Sequence, residues 1–184
     1  MNRKAIGIGE VFVYIVSALT FALIMIFGYK AIGGFLDRGE QVEFYQFKTD
    51  LENSVKKIYT EYGSVRREEF RLPTKYTKIC FVDVEFTLSA IDAEIQNLCG
   101  INQVACDVWK SVQNIPDADK FISVEQNVFL TPIAPVPIKV YKIRIKDGSG
   151  YLCPEINNGK FCLELEGLGG STQISKINCA EVNG

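Results

Sequence analysis

The chain has 184 residues, 47% of them hydrophobic and 23% charged, with a formal net charge of -2 and no histidine. Those proportions belong to a folded chain rather than a disordered one, and the length suits one compact domain plus an appendage. Lacking a basic surface, the chain has no means of holding phosphate backbones, so nucleic acid is not an expected partner. Lacking imidazole, it can build neither a Ser-His-Asp nor a Cys-His arrangement.

Taken from the N-terminus, Arg3 and Lys4 precede an uncharged run from Val11 to Phe27, VFVYIVSALTFALIMIF. With the apolar residues up to Leu36, the segment exceeds the roughly 20 residues needed to cross about 30 Å of hydrocarbon. The basic residues on the near side place the N-terminus in the cytoplasm and everything after about Leu36 outside. The run is too long for a secretory signal peptide, whose apolar core spans about 7 to 15 residues. Past Gly33-Gly34, the residues Phe44, Phe47, Leu51, Val55, Ile58 and Tyr62 recur at steps of three or four, with charged residues between them. That period predicts an amphipathic helix with one buried stripe, stopping at Gly63. A continuous helix over residues 8–62 would be a rod on the order of 80 Å long, and the glycine pair leaves both a kink and a straight run open.

Beyond Pro73 the pattern turns to strands: Lys78 to Phe86, Lys120 to Leu130, Pro137 to Lys146 and Gly159 to Leu168. In the last, Phe161, Leu163 and Leu165 alternate with Cys162, Glu164 and Glu166, the mark of a half-buried strand. Asp147-Gly148 and Asn157-Asn158-Gly159 are turn signals. Ser89 to Val112 reads as one helix or two short ones around Gly100. The expected fold class is α+β: a long N-terminal transmembrane and amphipathic helix packed on a small antiparallel β-sheet head stapled by disulfides. The expected divisions are a short basic stretch at 1–5, the transmembrane half of the helix at 6–36, its amphipathic half at 37–63 and an extracytoplasmic head at 64–184.

All six cysteines, Cys80, Cys99, Cys106, Cys153, Cys162 and Cys179, fall in the head. An even number on the exported side of an anchor predicts three disulfides, for which 15 pairings exist. Local pairs are favoured: Cys153 with Cys162 across the Asn157-Asn158 turn, Cys99 with Cys106, and Cys80 with Cys179. There is no CxxC pair, so no zinc or other metal site is expected. No cofactor and no enzymatic activity are expected either. Ser54 and Lys57 match the SxxK of lysine-using serine hydrolases, but on a charged helix so short a pattern arises easily by chance. The acidic pairs Glu68-Glu69 and Asp117/Asp119 read as solvated loop charges before they read as cation ligands.

The residue out of place is Glu10, at the lip of the apolar run. A carboxylate within lipid costs about 2.5 to 3.5 kcal/mol on insertion scales and usually marks a partner or a function; the bland alternative has it reaching headgroup water beside Lys4. A short basic leader ending at Lys4-Ala5, then Ile6, then a glutamate followed by an apolar and an amphipathic half-helix, resembles the type IV pilin superfamily. The resemblance covers about the first 60 residues. It implies that a prepilin-type membrane peptidase cuts before Ile6, making Glu10 the fifth residue, and that Glu10 pairs with the freed amine of Ile6 on a neighbouring subunit. It further implies a pilin-like structural subunit in an extracellular or cell-surface filament. Its partners would be other copies of itself, membrane lipid and an assembly machinery. Two other readings stand beside it: a single-pass membrane-anchored extracytoplasmic binding module, and an accessory subunit of a membrane complex in which Glu10 meets a basic residue on another helix.

Overall fold

The computed structural model describes residues 8–86 and 91–182, with side chains throughout except at 8–10, 33–37 and 91–94. Helix α1 runs Ile8–Tyr59. The chain divides at Val42 into two compact units, the first holding the apolar part of α1 and the second, from Glu43 on, the head.

In the head, the three-and-four spacing does what the sequence predicts: Phe44, Phe47, Leu51, Val55 and Ile58 are all essentially buried. Burying five such side chains contributes roughly 10 kcal/mol gross, before chain entropy is charged against it. Tyr62 departs from the expectation. It lies beyond the helix and is 84% exposed, because the chain leaves α1 to meet the end of a strand. Gly63 adopts φ +75° and donates its N–H to the Gly167 carbonyl at 2.8 Å. A Cβ on Gly167 would stand 1.8 Å from the Glu61 carbonyl oxygen, so only glycine fits where strand and helix end meet.

Among the described residues seven strands follow: β1 Val65–Arg71, β2 Lys78–Val82, β3 Val128–Thr131, β4 Ile143–Ile145, β5 Tyr151–Leu152, β6 Lys160–Gly167 and β7 Thr172–Lys176. They form a four-stranded sheet in the order β1-β6-β7-β4 and a three-stranded sheet in the order β3-β2-β5. The head is therefore α+β as expected, but its sheets are not wholly antiparallel, since β4 runs parallel to β7. Phe161, Leu163 and Leu165 of β6 point inward onto α1 with Phe70, Ile143 and Ile174. On β2 the alternation serves two cores. Ile79 and Phe81 join the α1 side, whereas Cys80 and Val82 join a second cluster with Leu98, Trp109 and Phe129. Thr172 is wholly buried, and its hydroxyl donates to the Val55 carbonyl of α1 at 3.1 Å.

The helical stretch between the first strands is two helices, α2 Ile91–Ile101 and α3 Gln103–Val112. The break falls at Asn102 rather than Gly100, because Asn102 accepts the Ala105 N–H and caps α3. The predicted strand over 120–130 is half helix: α4 spans Asp117–Ser123, with two acidic residues in its first turn and the Lys120 side chain buried. The strand predicted over 137–146 shrinks to β4. Upstream of it, the buried Asn127 side chain accepts from the Val140 N–H at 2.9 Å and donates to the Val140 carbonyl at 3.2 Å. A side-chain amide thus takes the place of a neighbouring strand.

Candidate functional site

Among the described residues the first unit carries one helix segment long and apolar enough to cross a membrane, Val11–Ile32, with mean hydropathy 2.5 and none of it buried within the chain. At 1.5 Å per residue its 22 residues span about 33 Å, matching the hydrocarbon layer. Phe12, Tyr14, Phe21, Ile24 and Tyr29 are each more than 60% exposed and point in every direction around the axis. A helix apolar all round requires lipid or other helices to cover it. Thr20 returns its hydroxyl to the Ser17 carbonyl at 2.9 Å, so this polar group is satisfied within the helix itself. Glu10 belongs to the helical backbone of α1, and its side chain lies outside the described residues. So do Lys4, Ala5 and Ile6.

All six cysteines are paired, but only Cys99–Cys106 matches the predicted connectivity. Cys80 pairs with Cys153 and Cys162 with Cys179, correcting the expected Cys153–Cys162 and Cys80–Cys179. The turn itself is as predicted: Asn158 and Gly159 take φ 52° and 73°, and Asn157 and Lys160 exchange both backbone hydrogen bonds. The hairpin ladder ends there. Its first arm turns to β2, where the Ile79 N–H reaches the Pro154 carbonyl and Ile156 reaches Thr77. In that register Cys80 lies directly opposite Cys153, with Cα atoms 4.0 Å apart, the narrow pair of an antiparallel ladder. The second arm, β6, is flanked by β1 and β7, and the chain leaving β7 brings Cys179 back over Cys162.

Charged residues gather in three places. Outside the four-stranded sheet, Glu164 meets Lys146 and Arg67 at 2.9 and 3.0 Å, which hold its carboxyl below the usual range. Glu69 likewise meets Lys160 and Arg71 and is held low by them. Exposed pairs of this kind contribute little to stability, because water and salt screen them.

The second place is a cluster that the sequence did not disclose. Asp83, only 2% exposed, follows β2. Its Oδ1 accepts the Glu85 N–H at 3.1 Å and its Oδ2 the Arg144 Nη1 at 3.3 Å. Arg144 and Lys142 also pair with Glu85. Burial pushes the Asp83 carboxyl up to about 6 against the opposing pull of Arg144 and the Glu85 N–H. The cluster joins the end of β2 to edge strand β4, linking the two sheets. A detectable signal was the unbroken apolar run Ile79 to Val82. A strand apolar on both faces is buried on both, and Asp83, which follows this one, is buried with it.

The third is a groove of about 480 Å³ between the head portion of α1 and β1, lined by Glu43, Asp50, Ser54, Glu68, Glu69 and Arg71 among others. Ser54 donates its hydroxyl to Glu68, so the serine of the SxxK match faces a carboxylate, while Lys57 is exposed. Glu68 and Glu69 are not loop charges; they lie on β1 and turn to opposite faces, one to Ser54 and the other to Lys160. Asp117 is engaged by Lys120 at 2.7 Å. Compared with known proteins, the chain matches no protein-family model, no curated protein sequence and no solved structure.

Proposed function

We propose that the chain is a pilin-like structural subunit that assembles into a cell-surface filament through its hydrophobic N-terminal helix. The observation that carries this reading is the contrast along α1. Nothing in Val11–Ile32 is buried within the chain, whereas Phe44, Phe47, Leu51, Val55 and Ile58 are among the innermost residues of the head. The first part of the helix needs an apolar partner, and identical helices of neighbouring copies supply one after lipid has held the subunit in the membrane. Gly28, Ala31, Gly33 and Gly34 are small enough for helices to approach closely. Three disulfides, all beyond residue 79, accord with a head exported to an oxidising compartment and an N-terminus kept in the cytoplasm by Arg3 and Lys4.

In this reading a prepilin-type peptidase cuts between Ala5 and Ile6, and the Ile6 amine of one copy neutralises Glu10 of the next. A carboxylate that is costly in a lone subunit thereby becomes an assembly contact. N-terminal sequencing of the mature protein tests the processing: Ile6 as first residue supports it, and a retained Met1 counts against it. Glu10→Ala is expected to abolish filament incorporation while membrane insertion persists. Filaments formed at the normal level by that variant would remove the role given to Glu10.

A further inference from the structure

We propose that the groove between α1 and β1 is a docking site for an extended, lysine- or arginine-bearing peptide segment, which adds to the free edge of β1 as a further strand. This inference concerns the head alone and does not depend on filament formation.

Two independent features lead to it. Among the described residues β1 is an edge strand, paired only with β6. Leu72 donates to the Gly159 carbonyl and Gly167 to the Ser64 carbonyl, in the register that sets Arg67 opposite Glu164 and Glu69 opposite Cys162. Even-numbered residues therefore bond to β6. The N–H and C=O groups of Arg67, Glu69 and Arg71 point the other way, a row of donors and acceptors with no partner among the described residues. Main-chain pairing of this kind supplies affinity in strand addition, and the flanking side chains supply selectivity.

The second feature is the sign of the walls. The lining holds four carboxylates, Glu43, Asp50, Glu68 and Glu69, against one cation, Arg71. Arg71 and Lys160 are already committed to Glu69, which leaves Glu43, Asp50 and Glu68 to meet a further cation, and Glu68 accepts only the uncharged Ser54 hydroxyl among the bonds of the described residues. Glu43 and Asp50 stand exposed on the opposite wall, seven residues apart on one flank of α1. An incoming strand bearing cationic side chains meets these carboxylates while its backbone pairs with β1. An apolar or acidic strand is refused by the same charges.

The test uses the full chain with disulfides intact in a non-ionic detergent, and three labelled nonapeptides read by fluorescence anisotropy. One alternates lysine and valine, one carries glutamate for lysine, and one is the lysine peptide with every backbone nitrogen methylated. The lysine peptide is expected to bind saturably, the glutamate peptide not to bind, and the methylated peptide to bind at least ten-fold more weakly. The double variant Glu43→Gln/Asp50→Asn, altered only at exposed positions, is expected to weaken lysine-peptide binding about five-fold. Binding should also slow hydrogen exchange at Arg67, Glu69 and Arg71. Equal binding of the methylated peptide, or no exchange slowing on β1, overturns the strand addition. Absence of lysine-peptide binding, or binding indifferent to Glu43→Gln/Asp50→Asn, overturns the groove as the site.

Discussion

Replacing Asp83 by Asn separates the cost of burying its charge from the worth of the bonds it makes. The asparagine keeps an oxygen for the Glu85 N–H, and Arg144 keeps Glu85 and is 42% exposed to water, so neither partner is stranded. Raising the Asp83 carboxyl from 3.8 to about 6 corresponds to about 3 kcal/mol between its two protonation states. The folded chain holds this proton more tightly than the unfolded chain. The resulting stability is fully present below 3.8 and is lost as pH rises through about 6. Glu69 and Glu164 work in the opposite sense, their stability being lost as pH falls below the ordinary 4.5, but they are common to both proteins and cancel in the difference. The variant should therefore match the parent near pH 4 and exceed it at pH 7.5 by about 2–3 kcal/mol, or about 5–10 °C in Tm. Thermal unfolding of the disulfide-intact chain, followed by circular dichroism from pH 4 to 8, reads this directly. A variant less stable at pH 7.5, or one offset from the parent by the same amount at every pH, would refute the reasoning.

The disulfides close segments of 73, 17 and 7 residues. Chain entropy then ranks the losses on double serine substitution at about 4 kcal/mol for Cys80/Cys153, about 3 for Cys162/Cys179 and about 2 for Cys99/Cys106. Denaturant midpoints check the order, and a peptide map without reductant checks the pairing. Leu51→Ala, in a fully buried position of the helix stripe, should cost about 3 kcal/mol, whereas Lys57→Ala on the exposed side should cost less than about 0.5; urea unfolding distinguishes them. Ile24→Lys, within the Val11–Ile32 segment, should penalise insertion by about 3 kcal/mol. Carbonate extraction of membranes would then release a substantial fraction of the variant and little of the parent.

Elements whose pattern is local were legible. The α1 stripe needs only its own spacing to declare which side is buried, and the β6 alternation needs only its own period. The Asn158-Gly159 turn follows from two residues that tolerate positive φ. β1 was not legible. In VRREEFR five of seven residues are charged, and it is a strand because β6, some 97 residues later in the Arg67–Glu164 pair, holds it. α4 was missed for the opposite reason. Phe121 and Ile122 look like strand residues, yet an acidic first turn after Pro116 starts a helix, and Phe121 is held beneath the Lys139 ammonium at 4.5 Å.

The cysteine pairing failed on the same distinction between near and far. A hairpin turn fixes only the residues that continue its ladder, and here the ladder stops at Asn157 and Lys160. Beyond that pair, each arm answers to a different sheet, so symmetry about the turn says nothing about which cysteines meet. The Asp83 cluster and the groove are assembled in the same way. Arg144 comes to Asp83 from 61 residues away and Lys142 to Glu85 from 57. Glu10 is the contrary case: it was noticed because its neighbours along the chain are apolar, a purely local contradiction. Sequence reading singled out a carboxylate among apolar neighbours and missed the charges folded against one another. A charge out of place in a helix is visible in one dimension, whereas a buried pair exists only after topology has brought two strands together.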